Sequence, residues 1–89
     1  YKPDKKVIIN ANKPVMNEAW LAFGTIPKNF NGPSLSLSIN KCLKEAAKNL
    51  YSMMRMLDKK KSTIIVVQKI PKKGIGIAIN DRLNRASSK

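Results

Sequence analysis

The run "KIPKKGIGIAINDRLNRASSK" near the end of the chain has the ingredients of a phosphate cradle. Lys72 and Lys73 could neutralise an anion, and Gly74 and Gly76 could let backbone N–H groups approach it at a helix start. A dinucleotide site requires a third glycine for close helix–strand packing, and Ile79 stands at that position. It also requires an acidic residue about 20 positions further on to hold a ribose, a point past Lys89. The Walker pattern fails too, because no Gly-Lys-Ser/Thr follows. Lys72 and Lys73 beside a helix start keep the capacity to hold a stray anion. The spacing predicts a tight strand-to-helix turn, with Asp81, Arg82 and Leu83 on the helix that follows.

Other chemistries fail on residue type. The chain has no histidine and a single cysteine, Cys42, so Ser/His/Asp and Cys/His arrangements and intrachain disulfides are all impossible. The five carboxylates, Asp4, Glu18, Glu45, Asp58 and Asp81, are scattered and form neither a metal-ligand pattern nor an acid/base pair. Asp81 fits the first turn of a helix, or an i,i+4 pair with Arg85. No catalytic residue and no metal site are expected.

The charge is the remaining signal. Eighteen Lys and Arg against five Asp and Glu give +13 in 89 residues, a balance that favours an anionic partner, nucleic acid before membrane. Only Arg55, Arg82 and Arg85 could contact phosphate bidentately, and aromatics are too few for a stacking platform. A solvated lysine surface therefore fits as well as a nucleic-acid face. The best phosphate-facing candidates are Lys59, Lys60 and Lys61 with Lys72 and Lys73. They flank one strand at opposite ends, about 25 Å apart at roughly 3.3 Å per residue, which argues against one compact patch.

These residues need a scaffold, and the length allows one small aliphatic domain. Residues 5–10 and 18–24 read as strands. Residues 25–38 read as a loop, either a lid or a plain insertion. From Ser38 the apolar period becomes helical through Leu43, Ala46, Leu50, Met54 and Leu57, predicting five to six turns capped by Ser38 or Asn40. Residues 62–70 carry unalternating Ile64, Ile65, Val66 and Val67, the mark of a strand covered on both faces, with helices on each side. Ile75, Ile79, Leu83 and Ala86 form the stripe of a last helix. The expected fold is α/β, a small Rossmann-like three-layer domain with a short, mostly parallel sheet of three to four strands and two helices. No run is long enough to cross a membrane. The opening "YKPD", without an initiator methionine, leads us to expect a longer parent.

The stretch from Leu43 to Ser87 resembles the C-terminal domain of two-domain L-threonylcarbamoyladenylate synthases. That family ends in a helix of the type EAAxNLYxxLRxLD, a strand, and then PxxGIGxAIxDRLxRA. The matching residues include Glu45, Ala46, Asn49, Tyr51, Arg55, Asp58, Pro71, Gly74, Gly76, Asp81, Arg82, Leu83 and Arg85. "EAWLAFG" resembles a family strand, and Tyr1 and Pro3 resemble the end of the H-Y-x-P linker between the two domains. The methionines at 53, 54 and 56 depart from the pattern, and the lysine excess is no family hallmark.

The resemblance implies that residues 1–4 end a linker and 5–89 form an accessory domain. The YrdC-like catalytic domain, absent from this chain, would make threonylcarbamoyl-AMP from threonine, bicarbonate and ATP, with ATP and magnesium as the parent's cofactors. The chain itself would need none and would not be an enzyme. Tyr1 and Pro3 would be its only substrate-proximal residues, and the setting would be cytoplasmic. The implied partners are the missing catalytic domain, and tRNA or tRNA-modification proteins. An apolar patch would be exposed where the missing domain packs.

Overall fold

A computed structural model describes residues 2–87. The elements run β1 (Lys6–Ala11), β2 (Ala19–Ala22), β3 (Ser34–Ser36), α1 (Leu43–Asp58), β4 (Ile64–Gln68) and α2 (Ile75–Ser87). The four strands make one all-parallel sheet in the order β1-β4-β2-β3. The α/β expectation therefore holds, with every strand parallel. The expected loop 25–38 instead contains β3, which pairs through Leu35 with Leu21 of β2.

The helices do not take one face each, as the sequence suggested. Ala46, Leu50, Met54 and Leu57 of α1 and Ile79, Leu83 and Ala86 of α2 share a single core with Val7, Leu21, Ile65 and Val67. The opposite face carries Trp20, Ala22 and Val66, covered by Ile26 and Phe30 from the β2–β3 loop. The third layer is thus a loop. Chain direction explains the difference. Connections of one hand that step in opposite directions along a sheet lie on opposite faces. The β2–β3 loop steps towards the β3 edge, whereas α1 steps back to β4, and α2 continues in that direction to pack on β1.

Central β4 is consequently buried from both sides at Ile65, Val66 and Val67. On β1 the register to β4 gains one residue between Ile8 and Ala11, a bulge at which Asn10 adopts φ 62°. The bulge moves Ala11 to the Trp20 face, whereas Val7 and Ile9 serve the helix face. The indole N–H of Trp20 is the one buried side-chain polar atom without a partner among the described residues.

Helix α1 begins later than the period implied. Lys41 has φ 59° and Cys42 is extended, so no helical run reaches back to Ser38 or Asn40. Ser38 still contributes, because its Oγ accepts the Cys42 N–H at 2.9 Å. The helix is 16 residues, with Glu45 in its first turn and Arg55 in its last, both suited to the helix dipole.

Candidate functional site

The Lys72–Ile77 turn is the strongest candidate for chemistry, and its geometry is that of a tight joint between β4 and α2. Gly74 has φ +54°, the left-handed region that glycine tolerates best. Gly76 is buried for another reason: a β-carbon there would collide with the Pro71 carbonyl oxygen. Two of the turn's amides are bonded within it, the Gly76 N–H donating to Lys73 O at 2.9 Å and the Ile77 N–H to Gly74 O at 3.1 Å. Asn80, only 6% exposed, locks the joint from within. Its Nδ2 donates to Ile70 O at 3.0 Å and to Gly76 O at 2.8 Å. Ile79 and Leu83 enter the core, Arg82 is exposed, and Asp81 pairs with Arg85 at 3.1 Å on the surface. The glycines build a joint.

The carboxylates do not gather. Among the described residues no group of three or more His, Cys, Asp or Glu side chains could hold a metal. Glu18 is instead a strand clamp. It accepts the Thr63 hydroxyl at 2.6 Å, the Thr63 N–H at 2.8 Å and the Ile64 N–H at 3.3 Å. These bonds, the Thr63 hydroxyl first, hold its carboxyl below the usual carboxylate range.

A second built feature lies at the amino end of the sheet, where the chain enters. Asp58, the last residue of α1, accepts the Asp4 N–H at 3.0 Å and the Lys5 N–H at 3.1 Å through its two carboxylate oxygens. The Lys5 ammonium returns to the Asp58 carbonyl at 2.6 Å, at a helix C-terminus that favours positive charge. Pro3 is buried beside them, in a hollow shared with Val7, Ala86 and Ser87. Three consecutive residues are thereby fixed to both helix ends before β1 begins. In the sequence Asp58 stands out only as one of five scattered carboxylates and as part of a helix motif. Its place directly after the helix's last apolar residue, Leu57, was the available clue. Tyr1 lies outside the described residues.

The structure places the lysine candidates at opposite ends of β4. Lys59, Lys60 and Lys61 precede it at the amino end of the sheet, near Lys5 and Lys6, because Lys6 pairs with Ile64. Lys72 and Lys73 follow it at the carboxyl end. Exposed large apolar side chains are distributed over Ile8, Val15, Met16, Ile39, Met56, Ile75 and Ile77, on several elements and loops. No helix among the described residues is long and apolar enough to cross a membrane.

No curated protein and no solved structure matches the chain. One family model does, described as the threonylcarbamoyl-AMP synthase C-terminal domain, and it matches residues 1–88.

Proposed function

The chain belongs to the threonylcarbamoyl-AMP synthase C-terminal domain family, and from that premise we propose that it is the non-catalytic accessory domain of such a synthase. In this reading residues 1–4 end an inter-domain linker and the remainder is the platform that holds it. The catalytic work belongs to a YrdC-like domain ahead of the chain. That domain converts threonine, bicarbonate and ATP to threonylcarbamoyl-AMP and pyrophosphate, uses ATP and magnesium, and serves tRNA modification in the cytoplasm.

The observation that carries the reading is the Asp58 anchor. A carboxylate that takes two successive backbone N–H groups sets both the position and the direction of the chain at residues 4 and 5. Charge-assisted bonds of this kind are about twice as strong as neutral ones. With Pro3 buried beside it, the anchor fixes the angle at which a preceding segment leaves the domain. A linker that must lie across a catalytic cleft needs such a fixed exit.

The test is ATP-to-pyrophosphate turnover with threonine and bicarbonate. It is run on this chain, on the longer protein that joins it to a synthase domain, and on that protein carrying Asp58→Ala. The expected results are no turnover by the chain, turnover by the longer protein, and a several-fold loss in the variant with its circular dichroism unchanged. Turnover by the chain alone, or a variant with unaltered kcat and KM, would overturn the reading.

A further inference from the structure

We infer that the carboxyl end of the sheet is a docking face for the phosphate backbone of a double-helical nucleic acid, through Lys13, Lys41, Lys44, Lys69, Lys72 and Lys73. This goes beyond the accessory-domain reading and does not rest on it.

The fold collects these lysines from three chain segments that the sequence keeps apart. Lys69 donates its N–H to Ala11 O at 2.9 Å, which sets the exit of β4, with Lys69, beside the exit of β1, with Lys13. Gly76 faces the Leu43 side chain, so the start of α2, after Lys72 and Lys73, adjoins the start of α1, between Lys41 and Lys44. All six are exposed. Three of the five acidic residues are segregated away from them. Asp4, Glu18 and Asp58 are at the amino end, engaged in the anchor and the strand clamp. Two carboxylates stand near the basic group: Glu45 in the first turn of α1, and Asp81, which shares a hollow with Lys72 and is paired with Arg85.

The amino end is the weaker candidate despite Lys59, Lys60 and Lys61. It mixes its lysines with three carboxylates and two helix C-termini, and it carries the anchored chain entry.

The chemistry selects the ligand. The Gly76 and Ile77 amides of the glycine turn are already bonded within it, and the six lysines come from separated segments, so this face offers dispersed ammonium charges more than a pocket for a small anion. Four strands at about 4.8 Å spacing span roughly 15 Å. A duplex presents about nine backbone charges over that length, at one per about 1.7 Å. Lysine point charges suit backbone contact and not base reading. A single-strand platform would need exposed aromatic rings, whereas Trp20 and Phe23 are buried and Phe30 and Tyr51 are half-buried. The exposed isoleucines are dispersed, with Ile8 on β1, Ile39 ahead of α1, and Ile75 and Ile77 on α2. Ile39 shares a hollow with Ser36, Asn49 and Met53, while Ile77 shares another with Asn80 and Asn84 on α2.

The test compares two variants that each remove four lysine charges. One is Lys13→Gln, Lys69→Gln, Lys72→Gln and Lys73→Gln together. The other is Lys6→Gln, Lys59→Gln, Lys60→Gln and Lys61→Gln. Binding of a labelled 20-base-pair RNA hairpin, a single-stranded RNA of equal length and phosphatidylserine vesicles is measured against salt by anisotropy and co-sedimentation, with circular dichroism to verify the fold. The wild-type chain should bind the hairpin with a Kd on the order of 10 µM or tighter at 50 mM salt. The carboxyl-end variant should bind it at least tenfold more weakly, with the salt slope reduced by about 3–4. The amino-end variant should remain within about threefold of wild type, a difference worth less than about 0.7 kcal/mol. Equal losses in the two variants would mean net charge alone is read and would overturn the proposal. So would no hairpin binding, tighter binding of the single strand, or binding confined to the vesicles.

Discussion

Gly76→Ala should destabilise the fold, although alanine is the better helix former. In an open helix the exchange would gain about 1 kcal/mol. Here the new methyl group enters the space of the Pro71 carbonyl oxygen, which is backbone and cannot rotate aside. Relief requires the end of the β4 strand segment and the start of α2 to move apart, and overpacking of this kind costs about 1–3 kcal/mol. The same movement strains both Asn80 bonds, which bridge Ile70 O and Gly76 O across that joint, each worth about 1 kcal/mol. The net expected loss is about 2–4 kcal/mol, or about 10–20 °C in Tm for a domain of this size. Gly74→Ala is the control. Nothing stands within 4 Å of a β-carbon there, so only the left-handed φ of +54° resists it, at a cost of about 1 kcal/mol. Gly74→Asn should recover part of that cost, because asparagine tolerates this region, and Gly76→Asn should recover nothing. Thermal denaturation followed by circular dichroism measures all four variants. A Gly76→Ala protein as stable as the wild type would refute the steric argument. Equal losses at the two glycines would refute the division of labour between them.

Two further predictions concern buried or clamped polar groups. Glu18 is held below its ordinary pKa by the Thr63 and Ile64 bonds, so its contribution is complete above the unfolded carboxylate value and disappears as pH falls through the lowered one. The Tm gap between wild type and Glu18→Gln should therefore be constant near neutrality and narrow only in acid; a gap that widens on acidification would contradict the clamp. Asn80→Asp would set a carboxylate against two carbonyl oxygens in a buried site, costing about 2–4 kcal/mol more than Asn80→Ala at pH 7. Acidification should restore part of the difference as the new carboxyl protonates, and a pH-independent deficit would show that the site is more open than its burial implies.

How much of this was legible in the sequence varied with the kind of information required. The apolar run of β4 and the stripes of α1 and α2 are strong periodic signals, and they placed those elements within a few residues. The alternation Ser34, Leu35, Ser36, Leu37 was also present as a strand signal, but Gly32 and Pro33 immediately before it suggested a loop. The early start predicted for α1 failed because Lys41 adopts a left-handed conformation that its residue type does not announce. The distribution of helices over the faces was not legible, since it follows from strand order, and strand order depends on pairings remote in sequence. The glycine turn was half legible. Ile79 excluded the dinucleotide reading, but the Pro71 carbonyl against Gly76 appears only when the chain is folded. The Asp58 anchor joins residues more than fifty positions apart, and no local pattern contains it.

The division of the sheet into a helix-covered face and a loop-covered face gives the molecule its own optical probe. Trp20 is the sole tryptophan, is 2% exposed, and sits on the loop-covered side with Ala22 and Val66. Its emission therefore senses water reaching beneath Ile26 and Phe30, whereas the far-ultraviolet signal of α1 and α2 arises on the opposite side. The two signals monitor opposite surfaces of one sheet without any introduced label. Coincident melting curves would describe a single cooperative unit. A fluorescence transition that precedes the helical one would identify the loop as a separately opening unit, with a stability lower than that of the helices.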